Sequence, residues 1–542
     1  MELLLLLLII VIIVYISAER TKKLKAKQAL EQIKANWQSA QPKKEYYNFF
    51  KISSYVNSSK EDFHRLTDQT IEDLDFEKLF KFIDKTTSRV GQQFLYKKLL
   101  EPANSTTDES EDRIQLFTGN KKLREDTQAE LLKLSTDDAY SITSLLYESS
   151  LIKPKWFKLL RLNLALILVL IVLSIQFPIS LIFLILPFSV NVYLHLWNKN
   201  NTFHYFRSVP QLLKLIHVAH TLAKKRCLMA EKVVLNSVER LNIIKKNARW
   251  IKFNEGGLQN EVGQYLSELF KSLFLIEILT TFKISEELKD KKADIHILFR
   301  FVGHLDACIS IASLRGSKLN TCKPEFTGSK KELRITGGYH PLLKDCTPND
   351  LTIKNKSVLI TGSNMSGKST FLRTVAINSI MAQTIYTCFA EEYSAPILKQ
   401  FSSIRIDDDL FQGKSYFFEE VGVMGSLIEA TQSPGQCLFL LDEVFKGTNT
   451  VERVAAAKAI LSYLNRGDSI VLVATHDIEL AGMLKDEYDL YHFTEVIENN
   501  KLHFDHSIKI GPLKTRNAIK LLELAEYPKE VLEEAKRISG IV

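Results

Sequence analysis

The chain has 542 residues, 25% of them charged, and a formal net charge of +8 at pH 7. This length excludes a single small domain and allows several. The positive balance is weak support for a nucleic-acid partner, because much of it lies beside apolar runs. The six cysteines show no paired spacing, which argues against a metal cluster and indicates reduced thiols of a cytosolic compartment.

The chain begins with an almost uninterrupted aliphatic run over residues 3–18. Only Met1 and Glu2 precede this run, and the basic residues follow it: Arg20, Lys22, Lys23, Lys25 and Lys27. A secretory signal would carry positive charges before the apolar run and a small-residue cleavage site after it. We therefore predict that residues 1–19 are a transmembrane anchor, with the N-terminus outside and the following residues in the cytosol.

Residues 20–65 have the composition of a basic juxtamembrane linker and contain a cluster of four aromatic residues: Tyr46, Tyr47, Phe49 and Phe50. So close to the anchor, this cluster favours a place at the membrane interface or in a packed core. Between residues 77 and 100 the apolar residues recur at helical spacing. Residues 66–160 are therefore predicted to form the first part of a helical core.

A second apolar run, over residues 162–197, is too long for one membrane span. Pro178 interrupts it near the middle, and basic residues flank both ends. We predict a transmembrane hairpin over residues 161–198 that brings the spans to three and has both ends on the cytosolic face. The alternative is a buried helix pair inside a soluble core. Residues 199–325 would return as a helical lever and the second part of the core.

The segment "LITGSNMSGKSTFLR" (residues 359–373) has the spacing of a phosphate-binding loop. The apolar run Ser357–Thr361 predicts a strand before it, and helical spacing predicts a helix from Lys368. In such a loop the backbone N–H groups surround the phosphates, the lysine reaches the β/γ oxygens and the hydroxyl binds Mg²⁺. The predicted ATP contacts are Gly362, Ser363, Asn364, Met365, Ser366, Gly367, Lys368, Ser369 and Thr370, with Ser369 also a Mg²⁺ ligand.

Two more apolar runs end in residues with catalytic chemistry. The run over residues 437–441 ends at Asp442, which we predict to be the second Mg²⁺ ligand, at the carboxyl end of a parallel strand. Glu443 follows and is predicted to orient the attacking water, unless it merely caps the strand. The strand "SIVLVATH" ends in His476, predicted to hydrogen-bond the γ-phosphate rather than to be a structural histidine.

The segments "TGSNMSGKSTFLRTVA", "DDDLFQGKSYFFEE", "LDEVFKGTNT" and "ATHDIEL", in this order, resemble the ATPase domain of the MutS family of DNA mismatch-repair proteins. Ser415 and Glu420 match the family's signature segment, whose serine reaches the nucleotide site of the partner subunit. The resemblance thus implies a homodimer with composite ATP sites and a catalytic set of Lys368, Ser415, Glu443 and His476. A transporter-type ATPase would show a Ser-Gly-Gly-Gln signature; residues 433–436 hold only "SPGQ", which favours a turn.

The resemblance covers most of the chain from about residue 66 and ends with "EYPKEVLEEAKRI". It implies an α/β P-loop ATPase domain over residues 326–542, joined to an all-α core and lever region and to three transmembrane helices. The chain departs from the family at Ser363, where proline is usual, at Phe445 and Lys446, which replace glycine-arginine, and at Asn449, where serine is usual. None of these departures removes a predicted ligand.

The resemblance also implies a partner, because the family acts on duplex DNA. The expected function is a membrane-anchored ATPase switch on DNA; the alternative is an engine that moves a protein or membrane partner without nucleic acid. Mismatch-recognising relatives insert an aromatic wedge from an extra domain. The stretch between Arg20 and Leu66 is too short for that domain and has no Phe-x-Glu triplet. DNA binding is therefore expected to be backbone-driven and to discriminate mismatches poorly.

Overall fold

The computed structural model describes residue 17 and residues 20–539 with gaps. The gaps are residues 22–23, 25–26, 40, 44, 57–62, 107–109, 148–150, 152, 202, 229–230, 248–271, 329–330, 364–365, 406–415, 446–449, 499–500, 514–521 and 524–526. The anchor predicted for residues 1–19, apart from Ser17, lies outside the described residues. So do Asn364, Met365 and Ser415.

Helices make up the described chain as far as Arg315. They are α1 (Phe49–Ile52), α2 (Asp68–Asp73), α3 (Phe76–Ile83), α4 (Arg89–Leu100), α5 (Glu111–Gly119), α6 (Lys121–Leu131), α7 (Ile142–Tyr147), α8 (Phe157–Gln176), α9 (Ser180–Phe183), α10 (Ile185–Asn201), α11 (Phe203–Ala223), α12 (Lys232–Asn247), α13 (Ile276–Leu288) and α14 (Lys292–Arg315). The helical pattern predicted over residues 77–100 falls on two of them, α3 and α4. The Ser88 hydroxyl begins α4 by accepting a hydrogen bond from the Gly91 N–H.

The centre of this helical part is α14, which packs closely against α4. A Cβ atom on Gly91 would lie 2.2 Å from an Asp306 carboxylate oxygen, so only glycine allows the approach. That carboxylate accepts hydrogen bonds from Thr87 N at 2.8 Å and Ser88 N at 2.7 Å. A buried carboxylate is tolerated where backbone donors satisfy it, and this one ties the start of α4 to the middle of α14.

Part of the predicted basic linker belongs to this core. Tyr47 is buried and Phe49 half-buried, and their rings lie about 6 Å from the Phe80 ring. Tyr46 and Phe50 are 81% and 89% exposed. The packing role predicted for the aromatic cluster therefore holds for two of its four members, Tyr47 and Phe49.

Three described helical stretches are long and apolar enough to cross a membrane, judged by length and composition: Phe157–Gln176, Ser180–Trp197 and Lys292–Arg315. In the third, α14, 83% of the most apolar window is buried inside the protein, so packing with other helices accounts for its composition. In the first two, only 11% and 22% of the window is buried. These two stretches form the hairpin of α8 with α9 and α10, at the position that the sequence predicted.

The carboxyl-terminal part contains two sheets. The strands are β1 (Glu325–Phe326), β2 (Glu332–Gly338), β3 (Asn349–Lys354), β4 (Ser357–Thr361), β5 (Glu392–Ala395), β6 (Leu398–Ser403), β7 (Gln436–Asp442), β8 (Ile470–Thr475), β9 (Tyr488–Glu498) and β10 (Lys501–Ile510). The helices are α15 (Lys368–Ile385), α16 (Tyr416–Ala430), α17 (Thr450–Leu464), α18 (Ile478–Leu484) and α19 (Lys529–Ser539). The smaller sheet has the order β1-β5-β2-β3, and the larger has the order β10-β9-β4-β8-β7-β6.

The larger sheet brings the predicted site together. Strands β9, β4, β8, β7 and β6 run parallel, and β10 is antiparallel at the edge. Thr361 pairs with Thr475, and Asp442 pairs with Ala474. The carboxyl ends of β4, β8 and β7 therefore lie side by side, at the edge where parallel sheets bind ligands.

Candidate active site

The predicted phosphate-binding loop leaves the buried strand β4 and ends at the first residue of α15. The Lys368 side chain is 5% exposed and folds over this loop. Its amine donates hydrogen bonds of 2.8 Å to the carbonyl oxygens of Gly362 and Ser363. The Ser366 hydroxyl also donates to the Ser363 carbonyl, at 2.8 Å. The Lys368 ammonium thus lies against the start of the loop, at the N-terminus of a helix whose dipole also favours an anion.

Both glycines of the loop have backbone conformations that other residues rarely adopt. Gly362 has φ +153° and Gly367 has φ +114°. At Gly362 a Cβ atom would lie 2.9 Å from the Phe493 carbonyl oxygen. The glycines therefore let the loop turn tightly against β9 and pass directly into α15.

The two predicted Mg²⁺ ligands meet in the structure. The Ser369 hydroxyl, in the first turn of α15, donates a hydrogen bond to an Asp442 carboxylate oxygen at the end of β7. A hydroxyl and a carboxylate are oxygen ligands of the kind that Mg²⁺ prefers. Among the described residues, no group of three or more His, Cys, Asp and Glu side chains is placed to hold a metal ion. A cation site at this position would include the Ser369 hydroxyl and the Asp442 carboxylate.

The predicted catalytic pair is also adjacent. An oxygen of Glu443 lies 3.0 Å from Nδ1 of His476, which is half exposed. Glu443 and Phe445 have φ values of +59° and +62°, in the left-handed region that favours glycine. Phe445 is nevertheless buried, so packing holds a strained turn beside the carboxylate. The Glu443 carboxylate therefore has a defined side-chain partner in His476.

A cavity of about 570 Å³ joins these groups, within the size range of small-molecule sites. Its lining includes Ser363, Gly367, Lys368, Ser369, Thr370, Asp442 and Glu443. It also includes residues 343–347 and Asn349, next to β3, and Phe493 and His506 of the β9–β10 hairpin. His476 does not line this cavity; it reaches the site through Glu443.

The sequence analysis did not predict the lining residues next to β3 or those in the β9–β10 hairpin. Asn349 binds the β10 edge, donating to the His506 carbonyl at 3.0 Å and accepting from the Ile508 N–H at 2.8 Å. His506 Nδ1 lies 3.1 Å from the Ser366 carbonyl, and the Ser363 hydroxyl contacts the Glu495 carboxylate. The segments "GGYHPLL" (residues 337–343) and "PND" (residues 348–350) contain two of the lining residues, Leu343 and Asn349, and were the available signal.

The helical core contacts the elements of this site through Asp73, at the end of α2. Its buried carboxylate accepts hydrogen bonds from Ser402 Oγ at 2.6 Å, Ile404 N at 3.0 Å and Arg405 N at 2.7 Å. Its carbonyl accepts one of 2.7 Å from Arg373 in α15. Asp73 thus binds both the helix that begins with Lys368 and the last residues before the predicted signature segment, of which Ser415 is not described. Glu420, further on, is buried in α16.

The larger sheet places a glycine-bounded loop at its carboxyl edge, with a hydroxyl–carboxylate pair beside it. This arrangement is a candidate site for an anion and a cation. Residues 358–541 match the family model for MutS domain V. The DNA mismatch repair protein MutS of Listeria welshimeri is 35% identical over 286 residues, which is 49% of this chain and 32% of that protein. For MutS of Lactobacillus delbrueckii the identity is 35% over 267 residues, 47% of this chain and 30% of that protein. For MutS of Thermus thermophilus the identity is 34% over 244 residues, which is 44% of this chain and 29% of that protein.

Residues 358–541 are thus similar to domain V of the MutS family. The chain spans about a third of the length of these relatives.

Proposed function

We propose that the cavity binds ATP with Mg²⁺ and that the domain is a P-loop ATPase. The observation that carries this is the convergence of Lys368, Ser369 and Asp442 at the end of one cavity. The loop carbonyls hold the Lys368 ammonium where a polyphosphate would need a cation, and the Ser369–Asp442 pair offers two oxygens to a divalent ion. When bound, Mg-ATP supplies the phosphoanhydride bond that is hydrolysed.

Glu443 is the residue placed to orient water. Glu443 lines the cavity beside Asp442, and its carboxylate contacts His476. A carboxylate held by a histidine has a defined direction, which positions it to accept a hydrogen bond from an attacking water. His476 acts through Glu443 and is therefore proposed as a positioning residue, not as the direct γ-phosphate contact that the sequence predicted.

Two substitutions test the ATPase proposal. Lys368→Ala should abolish ATP binding, whereas Glu443→Gln should bind ATP normally and hydrolyse it at least about a hundredfold more slowly. The matched controls are Lys485→Ala and Glu479→Gln, which change exposed residues of the same domain. Binding is measured with a fluorescent ATP analogue and turnover by phosphate release. Wild-type turnover by Glu443→Gln would remove that residue from the reaction.

We further propose that the hairpin of α8 with α9 and α10 lies in a membrane and that the ATPase is cytosolic. The support is its exposed apolar surface: Leu166, Val172 and Ile175 are 49%, 66% and 84% exposed. Twenty residues of α8 reach about 30 Å, the thickness of a bilayer core. Inside the hairpin, the amide of Asn163 donates to Asn191 at 2.6 Å, which satisfies polar groups away from lipid.

A labelling experiment tests this arrangement. A single cysteine at Ile179, in the hairpin turn, should react with a membrane-impermeant reagent in intact cells, whereas one at Lys199 or Lys25 should react only after permeabilisation. Each single-cysteine variant is made in a chain whose six native cysteines have been replaced. Labelling of Ile179 only after permeabilisation would show that the hairpin does not span.

Two classes of partner are considered for the proposed ATPase. The family favours duplex DNA, which the relatives' name, DNA mismatch repair protein, reflects. The exposed hairpin favours the second candidate, a membrane or protein partner moved without nucleic acid. If DNA is the partner, binding should fall steeply with salt, because phosphate contacts release counterions, and should hardly distinguish a G·T mismatch from homoduplex. No salt-dependent duplex binding by the full chain in detergent would favour the second candidate.

A further inference from the structure

Two of the cysteines face each other across a pair of adjacent backbone segments. Cys322 and Cys388 form an antiparallel bridge outside the named strands. Cys322 N donates to Cys388 O at 3.0 Å, and Cys388 N donates to Cys322 O at 2.9 Å. A pair that exchanges both hydrogen bonds has its Cα atoms about 5.5 Å apart. A disulfide needs a Cα separation of about 4.4–6.8 Å, and the spacing of such a pair lies within this range.

The pair lies where the helical core joins the ATPase-like domain. Cys322 follows the end of α14, and Cys388 follows the end of α15. The same two ends are joined by Arg315, which donates to Thr387 Oγ1 at 2.8 Å and to the Tyr386 carbonyl at 2.9 Å. A bond between the cysteines would therefore add a covalent link to a contact that already connects the central core helix with the helix of the phosphate-binding loop.

The two thiols differ in exposure and in pKa, so that one of them would react with an oxidant before the other. Cys388 is fully buried and Cys322 is partly exposed. A hydrogen bond from the Cys388 thiol holds the pKa of Cys322 below its ordinary value, whereas burial raises the pKa of Cys388 well above its own. A thiolate is the attacking species in thiol–disulfide exchange, and it must be reachable. Cys322 meets both conditions.

We propose that Cys322 and Cys388 form a reversible disulfide that locks the junction between α14 and α15, with a small organic disulfide as the oxidant. The Cys322 thiolate attacks one sulfur of the oxidant, which forms a mixed disulfide and releases one small thiolate. The Cys388 thiol then loses its proton and attacks the Cys322 sulfur, which forms the protein disulfide and releases the second small thiolate. Two protein thiols are oxidised and one small disulfide is reduced to two thiols.

This inference is independent of the proposed function, because it requires neither nucleotide nor membrane partner. The sequence predicted six reduced thiols, and the proposal changes this prediction only for Cys322 and Cys388. In a reducing compartment such a bond is transient and is formed under oxidative conditions.

The test uses the folded full-length chain with oxidised glutathione, followed by unfolding, alkylation, digestion and mass spectrometry. The expected product is a peptide that links Cys322 to Cys388 and disappears after dithiothreitol. Cys322→Ser should leave Cys388 alkylated, and Cys388→Ser should leave Cys322 carrying glutathione. The matched control Cys308→Ser, which removes another buried thiol, should form the link as wild type does. Free thiols at both positions, or glutathione retained on Cys322 in wild type, would overturn the proposal.

A second measurement shows whether the bond fits the fold. The residues are 66 positions apart, and closing such a loop restricts the unfolded chain. The thermal unfolding midpoint of oxidised wild type should rise by several degrees over that of the reduced protein, with no rise for Cys322→Ser. An unchanged or lower midpoint of the fully linked protein would mean that the bond distorts the native junction, which would also overturn the proposal.

Discussion

The Ser369 hydroxyl contacts the Asp442 carboxylate across 73 residues of sequence, joining the first turn of α15 to the last residue of β7. This contact places the two oxygens that a divalent cation would need next to the loop that holds Lys368. It is the point where the phosphate-binding and metal-binding halves of the proposed site meet.

The first prediction follows from this contact. Asp442→Asn keeps the shape of the side chain but removes its negative charge, so ATP affinity in the presence of Mg²⁺ should fall at least about tenfold. Nucleotide binding without Mg²⁺ should change little. Titration of a fluorescent ATP analogue with and without Mg²⁺ measures both, and Asp486→Asn, an exposed position, is the control. Equal losses in both conditions would point to a folding defect instead of a metal ligand.

The second prediction concerns the homodimer with composite ATP sites that the resemblance to the MutS family implies. Lys368→Ala and Ser415→Ala chains should each be inactive alone, because each removes one half of every composite site. Mixed dimers should regain activity, since one site then has both its lysine and its partner's serine. Phosphate release is compared for mixed and separate variants after tagged co-purification has shown that heterodimers form. Heterodimers without any recovered turnover would argue against sites shared between subunits.

The third prediction concerns Asp73, whose carboxylate accepts three hydrogen bonds from residues 402–405. Asp73→Ala leaves these buried donors unsatisfied and should destabilise the protein by about 3 kcal/mol. Asp68→Ala, in the exposed first turn of the same helix, should cost at most about 1 kcal/mol through the helix dipole. Thermal unfolding midpoints compare the two. Similar midpoints for both variants would show that the core does not depend on this contact.

The fourth prediction is a pH dependence of stability through His64. Burial lowers the pKa of His64 to about 4, and its Nε2 lies 2.9 Å from the Gln400 carbonyl of β6. The folded state holds the imidazole neutral, whereas the unfolded chain binds a proton below its ordinary pKa of 6.5. The contribution of His64 to the free energy of unfolding is therefore fully present above pH 6.5 and is lost as the pH falls toward 4.

Between pH 7 and pH 5 the loss attributable to His64 should be between about 1 and 2 kcal/mol. His64→Gln retains a donor for the Gln400 carbonyl but cannot titrate, so its unfolding midpoint should fall less than that of wild type over this range. Midpoints at pH 7 and pH 5 give the difference directly. An identical fall in both proteins would assign the acid sensitivity to other groups.

Much of the site could be predicted from the sequence, because its signals are local. The spacing of Gly362, Gly367 and Lys368 and the apolar runs before the loop, before Asp442 and before His476 each depend on a few adjacent residues. The sheet confirms the order of these elements, with the runs as β4, β7 and β8. The pair of apolar helices over residues 157–197 could also be predicted, since an uncharged run needs no tertiary information, whereas its place in a membrane stays a prediction.

The rest depended on which distant segments pack together. The cavity wall of Asn349 and His506, the binding of the helical core to the site by Asp73 and the facing cysteines join residues far apart in sequence, and no local spacing encodes such pairs. Composition alone makes α14 as apolar as a membrane span, yet its neighbours bury 83% of its most apolar window. Local pattern determines what a segment can form, whereas the order of strands and the packing of helices decide what each side chain meets, because those depend on the whole chain at once.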